Sequence, residues 1–97
     1  MPWANPNGYW FNARSINANA PPESGVYGLY KGQQWIYIGE SEDIRARLLQ
    51  HLIGDNSCIG REGPTQFSYE LVTAGQGVAR QNLLVRELDP VCNRKRG

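Results

Sequence analysis

The sequence is short of most features that would mark a specialised class. Cys58 and Cys92 are its only cysteines, too few for the dense disulfide framework of small secreted domains, and they read as two reduced thiols. Its one histidine, His51, lies seven residues from Cys58, and neither cysteine belongs to a C-x-x-C pair, so a zinc site has no ligand set to draw on. Charge of one sign is missing too. Ten Lys+Arg stand against nine Asp+Glu, a formal net charge of +1, which excludes an obviously basic nucleic-acid binder on bulk composition and leaves local patches to decide. No 18-residue apolar run occurs, and the start Met-Pro-Trp-Ala has neither a basic flank nor an apolar stretch. No membrane span and no signal peptide are therefore predicted, and a soluble, cytoplasmic protein is the expectation.

What is present suits one small domain. A chain of 97 residues typically buries roughly 60–65% of the surface it exposes when unfolded, enough for one core. Its expected parts are an irregular N-terminal arm over 1–23, a core over 24–94 and a basic tail over 95–97. Residues 1–24 hold four of the six prolines, five asparagines and the aromatics Trp3, Tyr9, Trp10 and Phe11. Those rings would cover one face of a small core, or stack on bases.

Beyond Pro21-Pro22, Gly25–Tyr30 and Gln34–Ile38 are rich in aromatic and β-branched residues and are joined by Lys31-Gly32-Gln33, which predicts an antiparallel hairpin. Ser41-Glu42-Asp43 offers a hydroxyl N-cap and two early carboxylates for a helix over 42–53, with Ile44, Leu48, Leu49, Leu52 and Ile53 as its apolar face and Gly54 as its stop. Residues 54–65 read as a loop. Residues 66–72 alternate as a third strand with one wet face, and a last helix over 78–88 ends before Pro90. The fold class is α+β, a small three-stranded antiparallel sheet flanked by helices.

Certain polar residues stand where apolar ones would serve the fold better. Arg47 and His51, four apart, share one face at the edge of the first helix's apolar stripe, which also suits a solvated surface pair. On the last helix, Val78, Leu84, Val85 and Leu88 define the inward stripe, and Gln81 falls within it. An inward carboxamide costs roughly 1–3 kcal/mol unless its hydrogen bonds are met. Gln81 reads equally as a satisfied structural glutamine or as a site residue.

In order and spacing these elements resemble the GIY-YIG nuclease family. Gly25-Val26-Tyr27 is similar to its first tripeptide and Tyr37-Ile38-Gly39 to its second, with the two tyrosines ten positions apart. The family's catalytic arginine follows the second motif's glycine by eight residues, as Arg47 does here, and His51 stands where many members place a histidine one turn later. The family's closing pattern of an apolar pair, a proline and an asparagine is met by Leu84-Val85, Pro90 and Asn93. The resemblance spans 24–94. One position departs from it: the family's metal-binding glutamate is here Gln81.

The resemblance implies a metal-dependent endonuclease that hydrolyses DNA phosphodiesters with Mg²⁺ or Mn²⁺. Tyr27 would act as or assist the general base, Tyr37 would orient phosphate or water, and Arg47 would neutralise the scissile phosphate. His51 would aid proton transfer, and residue 81 would anchor the metal. Gly25 and Gly39 would serve backbone geometry and close approach, while Asn93 would hold the turn after Pro90. Tyr27, Tyr37, Arg47, His51 and Gln81 are expected to converge on one shallow concave surface. A carboxamide removes the charge that hard dications prefer, so cutting would be reduced or absent. Glu40 is the one conceivable substitute carboxylate. An engineered inactivation, a lineage with another metal geometry and a fold relative that no longer cuts all remain open, and the alternative function is a non-catalytic nucleic-acid-binding or protein-interaction module. Arg45, Arg61, Arg94, Lys95 and Arg96 would touch phosphates. Specificity would have to come from a homodimer, a partner protein or nucleic-acid shape.

Overall fold

A computed structural model describes residues 7–94. In chain order the elements are β1 (Tyr9–Trp10), α1 (Ala13–Asn19), β2 (Gly25–Lys31), β3 (Gln34–Ser41), α2 (Ile44–Ile53), α3 (Ser57–Glu62), β4 (Gln66–Leu71), α4 (Gly77–Leu88) and a 3₁₀ turn (Val91–Asn93). The antiparallel sheet has the order β1-β4-β2-β3. The α+β class holds, and the expected three strands gain a two-residue fourth, with Tyr9 opposite Phe67 and Trp10 opposite Gln66.

The β2–β3 hairpin turns at Gly32, whose φ of 61° lies in the left-handed region open to glycine. Because successive strand residues face opposite ways, the sheet buries two separate clusters. Tyr27, Leu29 and Phe67 pack with Ile16, Ile44, Leu48 and Ile59 under α1, α2 and α3. Val26 and Ile38 pack against Leu84 of α4 on the reverse face.

Four expectations are corrected. The arm is not wholly irregular: Asn12 caps α1 by accepting from the Ser15 N–H at 2.8 Å, and Ile16 drops into the core. Tyr9 and Phe11 pack on that core, whereas Trp10 is 65% exposed; Trp3 lies outside the described residues. Residues 54–65 are not all loop. Asn56 accepts from the Cys58 and Ile59 N–H groups and starts α3, placing Ile59 in the core. In α2 the cap is Asp43, accepting from the Ala46 N–H at 3.0 Å, while the Ser41 hydroxyl is taken up with the Asp43 backbone. The buried stripe of α2 is Ile44, Leu48 and His51, and Ile53 is 88% exposed. Finally, the polar face of β4 is not wet: buried Glu70 accepts a fork from Arg80 of α4 at 2.6 and 2.9 Å, and the buried Ser68 hydroxyl donates to the Asn7 carbonyl at 3.0 Å.

The thiol expectation is also overturned. Cys58 of α3 and Cys92 of the 3₁₀ turn form a disulfide, with Cα atoms 5.7 Å apart. The fold brings together two residues 34 positions apart that no sequence pattern links. Among the described residues no helix is long and apolar enough to cross a membrane.

Candidate active site

The hairpin and α2 gather four of the expected residues. Tyr27 on β2 and Tyr37 on β3 present their rings to the α2 side of the sheet, with centroids 6.2 Å apart. The His51 ring completes a triangle, 5.5 Å from Tyr27 and 5.3 Å from Tyr37. Gly39, directly opposite Tyr27, makes this possible: a Cβ there would sit 2.5 Å from the Tyr27 Oη and 2.9 Å from Tyr37 Cε2. At Gly25 a Cβ would strike the Glu70 carbonyl oxygen of the neighbouring strand.

Hydrogen bonds tie the group into a line. The Tyr27 Oη lies 2.6 Å from His51 Nε2, and His51 Nδ1 lies 2.9 Å from Asp55 Oδ1. The Arg47 Nη1 donates to Asp55 Oδ2 at 3.2 Å and to Gln50 Oε1 at 2.7 Å. His51 is only 4% exposed, so it is no solvated surface residue. Tyr27 is buried as well, which leaves half-buried Tyr37, partly exposed Arg47 and exposed Asp55 as the solvent-facing members.

Burial and position set the proton chemistry. Desolvation, with the neighbouring Tyr37 oxygen, drives the Tyr27 hydroxyl far above its ordinary value against the opposing pull of Arg47, so it stays protonated. His51 is held below the usual imidazole range, first by burial and then by Arg47, although Asp55 pulls the other way. Burial works against the charge on Arg47, but Tyr27 and Asp55 more than offset it.

Asp55 is the member that sequence reasoning missed. Its signal was available: it lies four residues after His51, the spacing that stacks side chains along one helix face, but beside Gly54 it reads as part of a helix stop.

The other candidates are not tied into this hydrogen-bonded line. Gln81 is half-buried on α4 and makes no hydrogen bond with Tyr27, Tyr37, Arg47 or His51. It stands one turn after Gly77 and one before Leu84, on the helix face that packs against the reverse side of the sheet. Val78, expected on that stripe, is 56% exposed, and Gly77 takes its place. A Cβ at Gly77 would come within 3.0 Å of Glu40 Oε2, which sets the Glu40 carboxylate at the start of α4. Asn93 does not hold the turn after Pro90 with its side chain, which reaches β3 instead. Arg45 Nε donates to the Ala20 carbonyl at 2.8 Å, Arg61 lies beside Glu62 at 3.9 Å, and Arg94 pairs with Asp89 at 3.1 Å. Lys95 and Arg96 lie outside the described residues.

The donor set does not fit a resident dication. Asp55 is held by Arg47 and His51, Glu70 by Arg80, and residue 81 is a neutral amide. Among the described residues no group of three or more His, Cys, Asp or Glu gathers. The side chains present do not supply a free carboxylate at position 81.

The sequence matches no family model. A stretch of 34 residues, 35% of this chain, is 53% identical to the UvrABC system protein C of Aquifex aeolicus (strain VF5), of which it covers 6%. The chain superposes on the GIY-YIG N-terminal endonuclease domain of UvrC from Thermotoga maritima, bound to its catalytic divalent cation, magnesium, with a TM-score of 0.71 and 24% identity over 81% of this chain and 96% of that one. A point mutant of the same domain gives 0.72 at 22% identity, over 82% and 96%.

Proposed function

We infer that this chain, which has the fold of GIY-YIG endonuclease domains, is a nuclease-type domain acting on nucleic-acid phosphodiesters, DNA first among them. Its cutting is reduced by the neutral residue at 81. The observation that carries this reading is the line Tyr27–His51–Asp55–Arg47 beside Tyr37. It joins a phosphate-binding fork, a phenol and an imidazole within one cluster, and hydrolysis needs such groups to hold the phosphate and remove a proton from water.

Arg47 is the group that meets the phosphate. Its guanidinium is partly exposed and held by Asp55 and Gln50, so a phosphodiester competes for the same donors and takes them as a bidentate pair. Tyr37 orients the phosphate or the water. Tyr27 then accepts a proton from water as it passes its own to His51 Nε2. The water oxygen bonds to phosphorus, the bond to the leaving oxygen breaks, and solvent protonates that oxygen. Mg²⁺ or Mn²⁺, where bound, would stabilise charge on the phosphate. Exposed Arg61 and Arg94, with Arg45, Lys95 and Arg96, would add sequence-independent phosphate contacts.

A plasmid-nicking assay on the protein and its Gln81→Glu variant tests the reading, with Arg47→Ala in the Gln81→Glu background as the control for contaminating nucleases. We expect Gln81→Glu to raise Mg²⁺-dependent nicking and Arg47→Ala to abolish it. Robust Arg47-dependent cutting by the unaltered protein would remove the argument about residue 81. A second reading, a nucleic-acid-binding or interaction module without catalysis, is favoured by the neutral amide at 81, and no cutting by either protein, together with no measurable metal binding, would favour it over the first.

A further inference from the structure

Asp55 has no assigned role, yet it touches both Arg47 and His51, through Oδ2 at 3.2 Å and Oδ1 at 2.9 Å. A carboxylate can only accept hydrogen bonds, so the proton between Asp55 and His51 belongs to Nδ1. A neutral imidazole protonated at Nδ1 has only a lone pair at Nε2, so the 2.6 Å contact to Tyr27 is donated by the phenol. One assignment satisfies every contact in the line.

We propose that Asp55 is a positioning residue: it fixes His51 in the Nδ1–H tautomer and aims Nε2 at the Tyr27 hydroxyl as the acceptor of its proton. The groups facing the imidazole are Tyr27 and Tyr37 from the sheet and Arg47 and Asp55 from α2 and the turn after it. Without Asp55 the ring keeps its place, because Ile44 and Leu48 fix that face of the helix in the core, but nothing there selects the nitrogen that carries the proton. The imidazolium formed when Tyr27 gives up its proton would also lose its counter-charge. The same carboxylate restrains Arg47, so Asp55 gives up one partner when a phosphate binds and keeps the other. The catalytic meaning of this role rests on the proposed function, whereas the tautomer stands independently of it.

His51 is the only histidine in the chain, so long-range ¹H–¹⁵N NMR of the full protein reads its two ring nitrogens without overlap. At about pH 7.5 the unaltered protein should show Nδ1 protonated and Nε2 bare. Asp55→Ala should give a mixture of tautomers, and Asp55→Asn, which keeps a neutral acceptor, should largely retain Nδ1–H. Backbone amide spectra report whether each variant is folded. In the Gln81→Glu background, Asp55→Ala should lower kcat by roughly tenfold or more, and Asp55→Asn should restore part of the loss. An Nε2–H tautomer in the unaltered protein, or an unchanged ratio in folded Asp55→Ala, overturns the proposal. The expected tautomer shift with no cleavage in any variant upholds the positioning role and counts against the nuclease reading alone.

Discussion

The side chain of Asn93 behaves as a strand partner for Ile38, 55 positions earlier: its Oδ1 accepts from the Ile38 N–H at 2.7 Å and its Nδ2 donates to the Ile38 carbonyl at 2.8 Å. β3 is an edge strand whose backbone groups would otherwise face outward. One amide closes that edge between Tyr37 and Gly39, the residues that shape the candidate site.

Asn93→Ala should therefore cost about 1–3 kcal/mol, because it leaves a donor and an acceptor of the edge strand without partners. Urea denaturation measures the loss. A midpoint equal to that of the unaltered protein would show that water replaces the amide at no cost.

The Cys58–Cys92 bond predicts that native and unfolded protein, kept from reductant, both resist thiol alkylation. Reduction should lower stability by about 2–4 kcal/mol, as expected for closing a loop of this length in the unfolded chain. Two alkylated thiols in the unreduced, unfolded protein would contradict the bond.

His51 gives a pH dependence of definite sign. Its pKa is lowered by folding, chiefly through burial, so the unfolded chain binds its proton more readily. The contribution is complete above the unfolded imidazole value of 6.5 and is lost as pH falls from there through the folded value. Stability measured over that acid window should decline, and His51→Gln should flatten the histidine-dependent part. An NMR titration placing the folded His51 pKa above the unfolded value would reverse the sign.

Removing Arg94, Lys95 and Arg96 together should weaken DNA binding and flatten its dependence on salt, by a slope of roughly 0.7–0.9 per lost phosphate contact. Arg94 already pairs with Asp89 at the exposed surface, a contact that a phosphate can displace because such pairs are worth only about 0–1 kcal/mol. An unchanged slope would mark the tail as a solvated end.

Local pattern alone predicts the β2–β3 hairpin, α2, β4 and α4, because strand alternation, helical spacing and terminal glycines act over a few residues. Gly54, for example, stops α2 with a φ of 109°. The same spacing singles out Arg47, His51 and Gln81. Only the tertiary structure decided the long-range pairings. Which atoms meet across 24 residues from Tyr27 to His51, 34 from Cys58 to Cys92 or 55 from Ile38 to Asn93 depends on how whole elements stack, and no local period encodes it. β1 and α3 are too short for a periodic signal and exist because Phe67 and the core around Ile59 have surface to cover. Asp55 shows the division most clearly. Its distance from His51 in the chain is legible, but its role depends on a tyrosine that only the folded sheet carries to the other side of the ring.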